Sequence, residues 1–129
     1  MTTAIVCAGL LGILVFGLGF AVSGARGSTG TNFGFTPDPA NRVYRLVRAH
    51  GNATEYAPML AVLMLFLGAR EPSTWLLWVM GITTAARYLH VAGMLTGPTL
   101  DKINPLRFAG ALFTYLGGLV LSGALIRMI

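Results

Sequence analysis

Hydrophobic residues form four long runs along the chain, and polar or proline-containing segments separate them. The first run, residues 4–25, contains 22 residues without a charge. As an α-helix it would extend about 33 Å at ~1.5 Å per residue, close to the ~30 Å hydrocarbon thickness of a bilayer. Residues 108–126 form another run of 19 uncharged residues. Both runs therefore predict membrane-spanning helices.

The two central runs cannot span a membrane without including polar residues. Residues 56–69 are uncharged but number only 14, so the second helix is predicted to begin near Arg42 and to carry charges into the apolar layer. A break at Glu71-Pro72-Ser73 precedes the third predicted helix, residues 75–95. The pattern predicts one all-α domain over residues 1–129, an integral membrane bundle of four transmembrane helices.

Turn-forming residues separate the predicted helices. Residues 26–41 hold Gly, Ser, Thr, Asn and two prolines, which predicts a long first loop. Gly97-Pro98 and Asn104-Pro105 bracket a short polar loop before the fourth helix. A cleaved signal peptide is the alternative interpretation of the first run. It is disfavoured because Met1-Thr-Thr contains no basic residue and the run exceeds the usual ~7 to 15 apolar residues.

Composition supports a membrane protein and excludes several other classes. Hydrophobic residues make up 55% and charged residues 10% of the chain, with a mean hydropathy of +0.73, whereas soluble domains carry ~25% charged residues. The formal charge of +5 is spread through apolar runs, without the basic, aromatic-rich patch of a nucleic-acid-binding protein. Membrane lipid and anionic small molecules are the expected partners. One cysteine and two widely separated histidines provide neither a disulfide framework nor metal-ligand spacing.

Basic residues are distributed unevenly between the two sides of the predicted bundle. Six basic residues flank the first and third loops, namely Arg26, Arg42, Arg45, Arg48, Lys102 and Arg107. Two flank the opposite side, Arg70 and Arg127. Loops rich in Lys and Arg remain in the cytoplasm. Both chain termini are therefore predicted to face away from the cytoplasm.

One face of the second helix is polar although the helix is predicted to cross the membrane. At ~100° per residue its members fall within an arc of about 80°. We call this face the polar stripe, and it comprises Asn41, Arg45, Arg48, Asn52, Glu55 and Met59. A similar face on the third helix comprises Thr83, Arg87, His90, Met94 and Gly97. Each charge deep in a span costs ~2.5 to 3.5 kcal/mol on insertion scales, so these faces are not expected to contact lipid.

Two interpretations of these polar faces remain open from the pattern alone. In the first, Glu55 pairs with Arg48 or Arg87 and holds the bundle together without a ligand. In the second, the excess of arginine binds an anion, because Arg45, Arg48 and Arg87 share a single carboxylate. The planar guanidinium group binds carboxylates bidentately. This favours a small molecule with carboxylate groups at the cytoplasmic end.

The residues of the polar stripe resemble the signature of a known family. Residues 48–58, Arg-Ala-His-Gly-Asn-Ala-Thr-Glu-Tyr-Ala-Pro, resemble the second-helix motif R-A-x-x-N-x-x-E-Y-x-P of the MAPEG family. These are the membrane-associated proteins in eicosanoid and glutathione metabolism. Residues 86–90, Ala-Arg-Tyr-Leu-His, together with Gly93, are similar to the third-helix motif. The resemblance extends over essentially the whole chain and is strongest to a bacterial branch of the family.

The resemblance implies a homotrimer, and its bacterial branch implies the inner membrane. The distribution of Lys and Arg then places both termini in the periplasm. The resemblance also implies that glutathione binds as co-substrate between subunits near the cytoplasmic side, at positions matched by Arg48, Asn52, Glu55, Tyr56, Arg87 and His90. Arg107 matches an arginine that lies next to the glutathione sulfur in several members, which implies a catalytic role. The implied activity is that of a transferase or peroxidase acting on lipophilic electrophiles.

The alternative function is a non-enzymatic membrane scaffold or lipid-binding protein, since one family member, the lipoxygenase-activating protein, binds its ligand without catalysis. Three departures from the family pattern concern the chemistry rather than the binding site. Gly51 replaces a second arginine of one prostaglandin-synthase branch, Met94 stands where a tyrosine often occurs, and no tyrosine follows Arg107 until Tyr115. A small multidrug exporter would also fit the length, but it needs a coupling carboxylate, and the first helix contains none.

Overall fold

The computed structural model describes residues 1–128, which form four α-helices joined by three loops. The helices are α1 (Thr2–Thr29), α2 (Arg42–Gly68), α3 (Thr74–Thr96) and α4 (Pro105–Ile126). The predicted all-α architecture with four helices is confirmed. The predicted periplasmic C-terminus falls at Ile129, which lies outside the described residues.

Helix α1 continues one turn beyond the predicted boundary. The hydroxyl groups of Ser28 and Thr29 each donate a hydrogen bond to the carbonyl of Ala25, at 2.9 Å. Gly30 then adopts a left-handed conformation with φ of 66°, and its N–H donates to the carbonyl of Arg26. The prediction that residues 26–29 belong to the loop was wrong, because their hydroxyls bond back to the helix and the glycine ends it.

Asparagine side chains begin α2 and α4. Asn104 Oδ1 accepts hydrogen bonds from the N–H groups of Leu106 and Arg107, at 2.9 and 3.1 Å. Pro105 occupies the first helical position, where an N–H group is not needed. Helix α4 therefore begins three residues before the uncharged run, and Arg107 lies in its first turn. Asn41 caps α2 in the same way.

The helices pack as two hairpins, with α1 mainly against α2 and α3 mainly against α4. Helices α1 and α2 each also contact α3, and α2 contacts α4, whereas α1 and α4 do not touch within the described residues. The chain reverses direction at each loop. The first and third loops, residues 30–41 and 97–104, therefore lie at the same end of the bundle, which we call the loop end.

Glycines allow α3 and α4 to approach closely. A Cβ added at Gly110 would lie 2.5 Å from the backbone nitrogen of His90, and one at Gly117 would overlap the side chain of Thr83. A Cβ added at Gly118 would contact only Leu60 of α2 among the described residues, at 3.6 Å, an ordinary van der Waals distance. The surface of close contact on α4 therefore passes from Gly110 through the buried Thr114 to Gly117.

Of the described helices, α1 and α4 are long and apolar enough to cross a membrane by themselves. Their outer surfaces carry exposed aromatic and aliphatic side chains, such as Phe16, Phe20 and Leu119. The polar side chains of the bundle are concentrated on α2 and α3. Cys7 is a buried free thiol.

Candidate functional site

The polar faces of α2 and α3 meet around a buried arginine. Arg87 is only 1% exposed, and its Nη2 donates to Asn52 Oδ1 at 2.7 Å and to the Asn52 backbone carbonyl at 3.2 Å. Its guanidinium carbon also lies 5.1 Å from the centre of the Tyr56 ring, within range of a cation–π interaction. We call Arg87, Asn52 and Tyr56 the Arg87 cluster. The structure thus brings together three of the residues predicted to bind glutathione.

The Arg87 cluster keeps its positive charge. The side-chain partner of Arg87 is the neutral amide of Asn52, so this bond does not neutralise the guanidinium group. Arg87 Nε is buried and has no hydrogen-bond partner among residues 1–128. A buried donor without a partner is unfavourable unless a ligand or another group satisfies it. The arrangement favours the anion-binding interpretation over internal pairing of Arg87 with Glu55.

Two other predicted binding residues lie on the surface of the subunit. Arg48 and Glu55 are both exposed. Glu55 is the midpoint of α2, and Arg48 lies about two turns closer to the loop end. Neither side chain is enclosed by the bundle of a single chain.

Arg45 does not join the Arg87 cluster, although the polar stripe had placed it on the same face of α2. Its Nη1 donates to the carbonyls of Leu95 and Gly97, at the C-terminal end of α3. Cations are favourable there because the last carbonyls of a helix are unpaired and carry partial negative charge. Arg45 therefore ties the start of α2 to the end of α3, which the helical periodicity could not reveal.

His90 and Arg107 connect the end of α3 to the start of α4. His90 Nδ1 lies 2.9 Å from the carbonyl oxygen of Arg107. A carbonyl only accepts hydrogen bonds, so Nδ1 carries the proton and, in the neutral ring, Nε2 is the nitrogen left to accept one. The Arg107 side chain turns the other way, donating to the carbonyls of Leu100 and Lys102 at 2.8 and 3.1 Å. The guanidinium group thereby organises the third loop.

Sequence reasoning missed Tyr115 as a neighbour of the site. The rings of Tyr56 and Tyr115 pack with centres 5.6 Å apart. Their hydroxyl oxygens are 3.5 Å apart, longer than a normal hydrogen bond, so ring packing is the main contact. Both tyrosines and Glu55 line an open groove of ≈ 500 Å³ between α2 and α4. Only the aromatic character of Tyr115 could have suggested this contact, because 59 positions separate the two tyrosines in the sequence.

Comparison with known proteins identifies the family of the chain. The model of the MAPEG family matches residues 4–127, which is nearly the whole chain and includes every residue of the Arg87 cluster. The chain belongs to the MAPEG family. As a member of MAPEG, a family of membrane proteins, it is a membrane protein with four helices.

Two curated relatives of this MAPEG protein are the inner membrane protein YecN of Escherichia coli strain K12 and that of Escherichia coli O6:H1. Each is 44% identical to it over 48 residues, which is 36% of this chain. The match spans 37% of the length of each relative. No solved structure matches the chain.

Proposed function

We propose that this MAPEG protein is a glutathione-dependent transferase or peroxidase that acts on lipophilic electrophiles. In this proposal it forms a homotrimer in the bacterial inner membrane and binds glutathione between subunits near the cytoplasmic side. The exposure of Arg48 and Glu55 on a helix of a membrane protein is the observation that carries the proposal.

The position of Glu55 argues for a second subunit over this face. An exposed carboxylate at the midpoint of α2 would contact lipid near the membrane centre, at a cost of ~2.5 to 3.5 kcal/mol on insertion scales. A neighbouring subunit would remove this cost by covering Glu55 and Arg48 with protein and a polar ligand. The enclosed space would also contain the Arg87 cluster, which is polar and carries a net positive charge.

The residues of this face match the functional groups of glutathione. Arg48 would bind a glutathione carboxylate bidentately, and Glu55 would accept hydrogen bonds from the ligand ammonium group. The side-chain oxygen of Asn52 is already bonded to Arg87, which leaves its NH2 group to donate to the ligand. Tyr56 would line the site, and Arg87 and His90, which are buried within the subunit, would belong to its inner wall. Arg48 and Glu55 would thus contact the ligand directly, and Asn52 would both contact it and position Arg87.

Arg107 is the proposed catalytic residue. It lies in the first turn of α4, where the unpaired N–H groups of the helix also favour a negative charge. A hundredfold increase of the thiolate-to-thiol ratio of bound glutathione requires ~2.7 kcal/mol of preferential thiolate stabilisation. An arginine beside the sulfur in a partly dry site is able to provide it. In this role the side chain would release at least one of its two loop carbonyls.

The orientation follows from the distribution of basic residues. The loop end holds six of the eight Lys and Arg residues that flank the helices, so we place it in the cytoplasm with both termini in the periplasm. Cytosolic glutathione would then reach the site directly. The name of the relative, inner membrane protein YecN, supports the inner-membrane location.

A non-enzymatic ligand-binding protein is the second candidate function. The observation that favours it is the engagement of Arg107 by two loop carbonyls. If that arrangement persisted in the assembled protein, the site would bind glutathione or lipid without activating a thiol. The fold and the Arg87 cluster would be the same in both cases.

Native mass spectrometry and a turnover assay test the proposal together. The protein purified in mild detergent should have the mass of a trimer that retains glutathione. It should also consume glutathione with chlorodinitrobenzene or with a lipid hydroperoxide. Trimers that bind glutathione without turnover of either electrophile would favour the second candidate, and monomers that bind glutathione would contradict the intersubunit site.

A further inference from the structure

An apolar groove with basic residues at one end lies on the outer surface of the α1–α2 hairpin, near the loop end. It encloses ≈ 490 Å³, and its apolar walls include Phe20 and Gly24 of α1 and Leu95 of α3. Among residues 1–128, the only polar side chains that line it are those of Arg42 and Arg45, from the first turn of α2. The groove therefore combines a hydrophobic surface with a compact positive charge.

The positive charge of the groove is not neutralised by the residues that line it. None of the described residues in its walls is a carboxylate. Arg42 is exposed. Arg45 uses Nη1 on the carbonyls at the end of α3, and its Nε has no partner within residues 1–128. The groove can thus accept an anionic group at Arg42 and Arg45.

This groove is distinct from the glutathione site proposed above. Arg42 and Arg48 are six positions apart on α2, which places their side chains about 120° apart around the helix axis. Arg48 belongs to the face that carries Glu55, whereas Arg42 faces the groove beside α1. A ligand of the groove would therefore bind whether or not glutathione binds at the other face.

The floor of the groove is open because Gly24 lacks a side chain. A Cβ added at Gly24 meets no atom within 4 Å. Phe20, one turn away on α1, is 83% exposed and would remain in contact with lipid unless something covers it. An acyl chain fits this surface, since α1 is apolar enough to cross the membrane by itself.

We propose that the groove binds one anionic phospholipid in each subunit. The phosphate group would bind Arg42 and Arg45, and one acyl chain would lie along Phe20, Gly24 and Leu95. Charge complementarity identifies the occupant as anionic, and the apolar walls identify it as an amphiphile rather than a free ion. Basic pockets between helices on the cytoplasmic side are the general form of such lipid sites. The inference does not depend on glutathione binding or catalysis.

Native mass spectrometry with added lipid tests this site. The detergent-solubilised protein is mixed with equal amounts of phosphatidylglycerol and phosphatidylcholine, and the lipids retained by each subunit are counted. We expect one phosphatidylglycerol per subunit, retained in preference to phosphatidylcholine. Arg42→Gln should reduce this preference about fivefold, the effect of ~1 kcal/mol for one arginine near an anionic headgroup. Arg45 is left unchanged because it also holds the end of α3.

A pair of glycine variants separates filling of the groove from a general effect on α1. Gly24→Leu should abolish retention of the lipid, because the new side chain occupies the groove without a clash. Gly17→Leu is the matched control, since its Cβ also points into open space but Gly17 does not line the groove. It should retain phosphatidylglycerol as the parent does.

Four results would overturn the proposal. Equal retention of the two lipids by the parent would show that the arginines do not select an anion. Equal loss in the Gly17→Leu and Gly24→Leu variants would show that the groove is not the site. Displacement by inorganic phosphate alone would indicate a simple anion site. A changed oligomeric mass in Gly24→Leu, without a change in lipid retention, would indicate that a second copy of the chain fills the groove.

Discussion

Replacement of Asn52 by alanine should destabilise the protein even without a ligand. Asn52 Oδ1 is the acceptor at 2.7 Å for a guanidinium group that is 1% exposed. Hydrogen bonds to charged groups contribute ~1.5 to 3 kcal/mol, whereas interhelical bonds measured in membranes average ~0.6 and reach ~1.7 kcal/mol. The two ranges overlap near 1.5 kcal/mol, so we expect Asn52→Ala to lose about 1.5 kcal/mol. At about 4 °C per kcal/mol, the Tm would fall by about 6 °C.

Thermal unfolding in detergent, followed by circular dichroism, measures this effect. Asn52→Asp keeps an acceptor for Arg87 and should unfold within about 2 °C of the parent. Without a ligand, Arg48→Ala should do the same, because Arg48 is exposed in the subunit and Arg87 is bonded to Asn52 instead. An unchanged Tm for Asn52→Ala would refute the structural role of the Arg87 cluster. An equal loss in Arg48→Ala would refute the distinction between a residue that positions Arg87 and one that faces the ligand.

Three further predictions concern packing, chemistry and orientation. Gly117→Ala should lower the Tm by about 4 to 12 °C, because its Cβ overlaps Thr83 and overpacking costs ~1 to 3 kcal/mol. Gly118→Ala should not lower the Tm. Equal effects of the two variants would contradict the α3–α4 packing. Arg107→Ala should leave glutathione affinity at low pH nearly unchanged and reduce the thiolate absorbance of the bound ligand at neutral pH; an unchanged titration curve would leave Arg107 with its loop contacts alone. Reporter domains fused to either terminus should be active in the periplasm, and cytoplasmic activity at both ends would refute the proposed orientation.

The helices were predictable from the sequence because the signals that begin and end them are local. Asn41 and Asn104 cap α2 and α4 within three residues, and Pro105 is placed where a helix starts. The last turn of α1 was missed because Ser28 and Thr29 are common in loops, and only their bonds to the Ala25 carbonyl keep them helical. The pairing of helices was not predictable, since apolar surfaces of similar hydropathy do not specify their neighbours.

The candidate site was predictable only as far as helical periodicity extends. Periodicity placed Asn52 on one face of α2 and Arg87 on one face of α3, and the structure brings the two side chains together. It gives the direction of a side chain but not its partner. Arg45 was therefore considered available for anions, and the family resemblance implied the same for Arg107, although both donate to carbonyls of the segment 95–102. Tyr115 was missed because its contact with Tyr56 requires the packing of α4 on α2.

Isothermal titration of glutathione into the purified protein tests the central claim most directly. The claim is that the face of α2 that carries Arg48 binds glutathione. Loss of a bidentate charged partner costs ~2 to 5 kcal/mol, so Arg48→Ala should bind at least about 30-fold more weakly at ~1.4 kcal/mol per decade. Arg42→Ala, on a different face of the same helix, should bind as the parent does. Absence of binding by the intact parent trimer, or equal Kd values for the parent and a trimeric Arg48→Ala variant, would contradict the claim.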